Sequence, residues 1–185
     1  MPIEIKPGRT RDMILMALFA GATAVLSQFN IPLLFTPIPI NLATFAVFTA
    51  GGLLGARSGS LSMLIFLLMG IVGLPVFSNF GSGISKLLGP TGGYIIGYVA
   101  AAFMTGLVKK IKEDNIIWLV FSMTAGMTVC YIFGTVWFAY STAADFFSAL
   151  LLCVVPFILG DVIKIILSAI IVKRLTYQNR LLIRS

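Results

Sequence analysis

The chain has no histidine among its 185 residues. That absence removes histidine-based catalytic triads, zincin motifs and histidine-ligated haem together. Acids are nearly as scarce: six Asp and Glu stand against thirteen Lys and Arg, and charged residues make up only 10% of the chain. A soluble domain carries about 25%. The two cysteines, Cys130 and Cys153, both lie in apolar runs. They read as small interior residues rather than a disulfide or a metal site. Nothing in the sequence implies a metal or a cofactor. A nucleotide loop is missing too, because the glycine-rich "LLGPTGGY" lacks the lysine of a phosphate-binding loop and follows no strand.

What is abundant is apolar. Hydrophobic residues make up 59% of the chain, and the mean hydropathy is +1.06. These values describe an integral membrane protein built of helices, in one domain over residues 1–185. The first apolar segment runs long and shows no clear cleavage site, so it reads as a retained span rather than a signal peptide. The net charge of +7 does not point to nucleic acid, because the basic residues flank apolar runs and fit a lipid boundary.

Six spans are expected, at about 13–29, 40–56, 61–77, 94–108, 116–140 and 156–175. A Pro-rich loop, "NIPLLFTPIP", precedes the second, and "ARSGS" turns the chain into the third. The last apolar region is too long for one span. Pro156 divides it, since proline suits the first turn of a helix and disrupts an interior. A short helix is therefore expected over 145–152, with Asp145 as its N-cap, followed by a final span of roughly 30 Å. With both termini cytoplasmic, inside segments hold Lys6, Arg9, Arg11, Arg57, Lys109, Lys110, Lys112, Lys173, Arg174, Arg180 and Arg184 of the thirteen basic residues. Lys86 alone falls outside and Lys164 lies within the membrane. This asymmetry sets the expected orientation.

Three features stand out against that background. Asp161 and Lys164, three apart in "VVPFILGDVIKIIL", share a helix face. A charge at the membrane centre costs about 2.5–3.5 kcal/mol. The pair is either a mutual lock between helices or a polar ligand site, and intramembrane charges usually face a cavity. The break "GPTGGY" is either a helix start with close packing or a backbone wall beside a ligand. In the second reading Gly92 and Gly93 let a ligand approach and Tyr94 adjoins it. Asn79 and Lys86 share the same external segment, where either residue is commonly just solvated. In the first span Ala17 with Gly21, and Ala20 with Ala24, form small-x-x-x-small pairs. They serve packing inside the bundle or docking of another membrane subunit.

Four stretches then align with a known pattern: "FTPIPINLATFAVFTAGGLLGARSG", "GIVGLPVFSNFGSG", "LLGPTGGYIIGY" and "VVPFILGDVIK". In this order they resemble the BioY family, the biotin-binding S components of energy-coupling-factor transporters. The resemblance runs from about Phe35 to Lys164. The chain departs from it with "INLATF", where the family often reads Ile-Thr-Leu-Gln-Thr, and with Ala56, where proline is common.

The resemblance implies an all-α S-component bundle of six transmembrane helices in a prokaryotic plasma membrane. It implies biotin capture from outside, and partnership with a transmembrane coupling subunit and two ATP-binding subunits that hydrolyse ATP. The chain itself is then no enzyme. Biotin offers two ureido N–H donors, an apolar sulfur ring and a tail ending in a carboxylate. On this footing Asp161 and Asn79 meet the ureido group, Lys164 meets the carboxylate, and Tyr94 packs on the rings. The loop over Thr36 to Asn41 becomes a lid. An S component for another vitamin and a membrane-embedded enzyme are the competing readings. The second lacks a nucleophile, metal or acid/base set.

Overall fold

A computed structural model describes residues 7–34, 36–112 and 115–184. Its helices are α1 (Pro7–Leu26), α2 (Ala43–Ile71), α3 (Gly83–Leu88), α4 (Gly92–Lys109), α5 (Ile116–Thr142), α6 (Phe146–Cys153) and α7 (Ile158–Arg184). Four stretches are long and apolar enough to cross a membrane among the described residues: Ala43–Ile71, Gly92–Lys109, Ile116–Thr142 and Phe146–Gln178.

Helix α2 is two arms. Gly55 breaks it with φ 80 and ψ −178, a left-handed backbone that glycine adopts without steric cost. The chain reverses there. A straight helix would put Gly51 and Gly59 about 12 Å apart, yet a methyl on Gly59 would lie 2.9 Å from the Gly51 Cα. The arms cover 43–54 and 56–71, so α1, these two arms, α4, α5 and α7 make six long helices. The reversal falls at Gly55 rather than in "ARSGS", because Arg57, Ser58 and Ser60 are already helical.

The other boundaries follow from local chemistry. Asn41 Oδ1 accepts from the Ala43 N–H at 3.1 Å and starts α2. Gly73, at φ 106, follows the second arm and ends it before Pro75. Asn115 Oδ1 accepts from Ile117 N at the head of α5. Asp145 Oδ2 accepts from the Phe147 and Ser148 N–H groups and caps α6. Pro156 sits in a single tight turn, Val155–Phe157, between α6 and α7.

Two segments are more ordered than the sequence suggests. The Pro-rich stretch is an antiparallel hairpin of β1 (Asn30–Leu33) and β2 (Thr36–Asn41), with Asn30 opposite Asn41 and Ile31 opposite Ile40. Thr36 and Ile38 are buried while Pro37 is exposed between them, the period-two pattern of a half-buried strand. Proline is tolerated because neither strand has a second neighbour needing its N–H. In the Gly-rich segment, Ser78–Phe80 forms a tight turn before α3. Gln28, near the end of α1, fastens that turn: its Nε2 donates to the Val76 and Phe77 carbonyls, and its Oε1 accepts from Phe80 N. The Ser27 hydroxyl also donates to the Val76 carbonyl.

Helix α4 is the central element, packed between α2 and α5 through small residues. A methyl at Gly51 would meet Ala102 O at 2.6 Å, and one at Gly134 would meet the Tyr94 ring at 2.3 Å. Van der Waals packing of close backbones holds membrane helices where no water drives them together.

Candidate functional site

Helix α7 carries Asp161 in its first turn, where the helix dipole favours a carboxylate. Lys164, one turn on, places its Nζ 2.6 Å from Asp161 Oδ1. Both are almost fully buried, at 4% and 7% exposure, so their charges depend on protein partners for stabilisation. The Lys164 ammonium also donates to the Asn41 carbonyl at 2.9 Å and to Thr44 Oγ1 at 3.0 Å. Its three protons therefore have three acceptors. The Tyr131 hydroxyl of α5 donates to Asp161 Oδ2 at 2.5 Å. Each carboxylate oxygen retains a lone pair for a further donor.

This cluster faces a narrow, partly open cleft with a cavity volume of about 50 Å³. Helix α7 supplies Asp161 and Lys164; β2 and the start of α2 supply Ile38, Pro39, Asn41 and Thr44. Tyr94, Ile95 and Tyr98 of α4, Met127 and Tyr131 of α5, and Phe157 complete most of an apolar and aromatic wall. Ser78, Lys86 and Thr91 add polar groups from the Gly-rich segment. Asn41 Nδ2 reaches Ser78 Oγ at 3.1 Å and Tyr98 Oη at 3.5 Å, tying the hairpin to that segment and to α4. Phe66 backs Tyr98, with ring centroids 6.3 Å apart. The Tyr94 hydroxyl donates to the Cys153 carbonyl at 2.8 Å, fixing α6 against α4.

Of the residues singled out in the sequence, Tyr94, Asp161 and Lys164 line this cleft. Gly92 and Gly93 do not: Gly92 abuts the Leu87 carbonyl, and Gly93 abuts the Trp137 side chain and the Phe133 carbonyl. Both positions are closely packed against neighbouring segments. Asn79 is exposed in a left-handed turn at φ 59, and its neighbour Ser78 lines the cleft instead. Lys86 and Asn41, earlier placed only in a solvated segment and a lid, both reach the wall. Thr44, Ser78, Tyr98 and Tyr131 were not anticipated. Tyr98 lies one helical turn from Tyr94, a spacing that puts both on one face. The departure "INLATF" still supplies polar contacts, through Asn41 and Thr44.

The small-residue strip of α1 divides. Ala20 is 1% exposed and Ala24 packs partly buried against the core. Ala17 is exposed, and a methyl at Gly21 would meet nothing within 4 Å.

Chemically, the lining holds two cations, Lys86 and Lys164, and one carboxylate, Asp161, a net charge of 2 − 1 = +1. Such a cleft fits a monoanion with an apolar body and N–H donors. Among the described residues no group of His, Cys, Asp or Glu is arranged to hold a metal.

The BioY family model matches residues 2–180. A probable biotin transporter BioY of Pyrococcus horikoshii is 38% identical over 168 residues, covering 90% of this chain and 97% of that protein. The biotin transporter BioY of Thermotoga maritima is 36% identical over 165 residues, covering 89% and 95%. Among solved structures, the S-component for biotin from an ECF-type ABC transporter superposes with a TM-score of 0.87 at 29% identity, covering 94% of this chain and 95% of that one.

Proposed function

The chain belongs to the BioY family, and on that premise we propose how its cleft takes biotin. The protein is a biotin-specific S component of an energy-coupling-factor transporter, a multi-pass cell-membrane protein and not an enzyme. The observation that carries the binding mode is the buried Asp161–Lys164–Tyr131 cluster facing a cleft of net charge +1. The free lone pairs of Asp161 accept the ureido N–H groups, and hydrogen bonds to a charged acceptor are the stronger kind. The ureido carbonyl accepts a hydrogen bond from the Ser78 hydroxyl, whose oxygen already accepts from the Asn41 amide. Tyr94, Tyr98, Ile95 and Met127 surround the ring sulfur and the aliphatic tail.

The carboxylate goes to Lys86. Lys164 was the expected partner, but its protons are already committed to Asp161, Asn41 and Thr44. Lys86 lies on a different wall and has no ion-pair partner among the described residues. Strand β2 acts as a lid, since Ile38 and Pro39 border the cleft and Lys164 grips its last carbonyl. The cleft faces outward and both termini lie inside. The partners are a transmembrane coupling subunit and two ATP-binding subunits, which supply ATP hydrolysis. The coupling subunit docks on the open Ala17 and Gly21 face of α1.

Titration of the purified chain with biotin, thiamin and riboflavin tests the proposal. One equivalent of biotin should bind, while the other two vitamins should leave no heat or fluorescence change. Equal binding of thiamin would point to an S component of another specificity.

A further inference from the structure

A second recess opens at the far end of α4, about 27 Å along its axis from the first turn beside the cleft. Its walls come from the break in α2 and the last turns of α4, and it holds Arg57, Lys109 and Lys110 with no acid in the lining. Leu53, Leu54, Phe103 and Leu107 form its apolar sides. Phe103 and Leu107 are 43% and 47% exposed, on the flank of a helix long enough to span a bilayer.

The cations are not all explained by the fold. Lys109 and Lys110 close the C-terminal end of α4, where the helix dipole favours positive charge. Lys109 also donates to the Gly52 carbonyl at 2.6 Å, next to the break. Arg57 is different. It stands at the start of the second arm of α2, the helix end where positive charge is disfavoured. It is exposed and has no ion-pair partner among the described residues. One side of Gly55 is open, since a methyl there would meet nothing within 4 Å, while its other side packs against Gly106 of α4.

We propose that this recess binds the phosphate of an anionic phospholipid. The headgroup lies between Arg57 and Lys110, and an acyl chain runs along Phe103 and Leu107. Charge complementarity names the occupant: clustered cations at the end of spanning helices attract anionic headgroups. Apolar walls continuous with the lipid-facing flank favour a lipid over a free anion. A negative lipid there would also satisfy Arg57 at the head of its helix and brace the α2 reversal against α4.

The test uses the full chain in bilayer discs of equal phosphatidylglycerol and phosphatidylcholine, with retained lipid read by native mass spectrometry. The parent should retain phosphatidylglycerol preferentially. Arg57→Gln with Lys110→Gln should lower that preference about twenty-five-fold, at roughly one factor of five per charge. Arg57→Lys with Lys110→Arg should keep it. A single cooperative melt serves as the folding control. Should the double glutamine variant fail it, Lys110→Gln alone decides, with about a fivefold loss expected. An unchanged preference in the variants overturns the proposal. So does displacement of the lipid by equimolar inorganic phosphate, which would mark a free-anion site. Retained lipid preference with loss of assembly onto the coupling subunits would assign the recess to a protein partner and likewise overturn it.

Discussion

Replacing Lys164 with Met separates a ligand site from a plain structural lock. The perturbation keeps an apolar stem of similar length and deletes the ammonium. It leaves the Asp161 carboxylate, 4% exposed, without its cation 2.6 Å away. Breaking one side of a buried pair costs about 3–5 kcal/mol. The Asn41 carbonyl and Thr44 hydroxyl lose a donor as well, about 1 kcal/mol each. Tyr131 still donates to Asp161 and moderates the loss. Lys164→Met should therefore melt well below the parent. Adding Asp161→Leu removes the orphaned charge, and an apolar pair in place of a buried ion pair is close to neutral. The double variant should recover most of the lost stability. It should not recover biotin binding, because the acceptor for the ureido group is gone. Thermal unfolding with and without biotin, on parent, single and double variants, reads both effects. An unchanged melt for Lys164→Met would refute the electrostatic reasoning. Biotin binding by the stable double variant would refute the site.

Four further outcomes follow from other parts of the structure. Lys86→Gln should weaken biotin about tenfold, the lower range for a charge-assisted bond, while a carboxyl-blocked biotin binds parent and variant equally in competition titrations. Ala20→Trp should overpack a 1%-exposed position and lose folding and biotin binding together. Ala17→Leu with Gly21→Leu, on the open face, should keep biotin binding and weaken co-purification with the coupling subunit. In a background with Cys130 and Cys153 replaced by Ala, Lys112→Cys should react with a membrane-impermeant maleimide only after cells are opened. Labelling of intact cells would reverse the orientation.

The fold was legible where a strong physical penalty marks the sequence. Long apolar runs announce spanning helices, Asp145 announces a cap, and Pro156 announces an interruption. Asp161 and Lys164 were legible for the same reason, since two charges in an apolar helix demand partners. The partners themselves were not. Tyr131, Thr44 and Tyr98 are ordinary residues in membrane helices, and only the packing of α5, α2 and α4 against α7 brings them to one cleft. Spacing could not show that the three protons of Lys164 are committed within the protein, the arrangement on which the proposal of Lys86 as the carboxylate partner rests. The role of Gly92 and Gly93 could not be read from sequence, because glycine serves close helix contact and ligand approach with the same chemistry. The turn at Gly55 was displaced onto "ARSGS" because serine and glycine both signal turns, while positive φ leaves no mark that separates one glycine from another. The hairpin over 30–41 was hidden by prolines, which usually argue against strands but are accommodated in a two-stranded sheet.

The location of the ligand is tested most directly by protection from alkylation. Ser78→Cys puts a thiol on the cleft wall, and Arg57→Cys puts one at the other end of the bundle, each in the background lacking Cys130 and Cys153. Saturating biotin should slow maleimide labelling at Ser78→Cys severalfold and leave Arg57→Cys unchanged. Equal labelling of Ser78→Cys with and without biotin, in protein shown by titration to bind it, would contradict the placement of biotin in the cleft of Asp161, Lys164 and Tyr131.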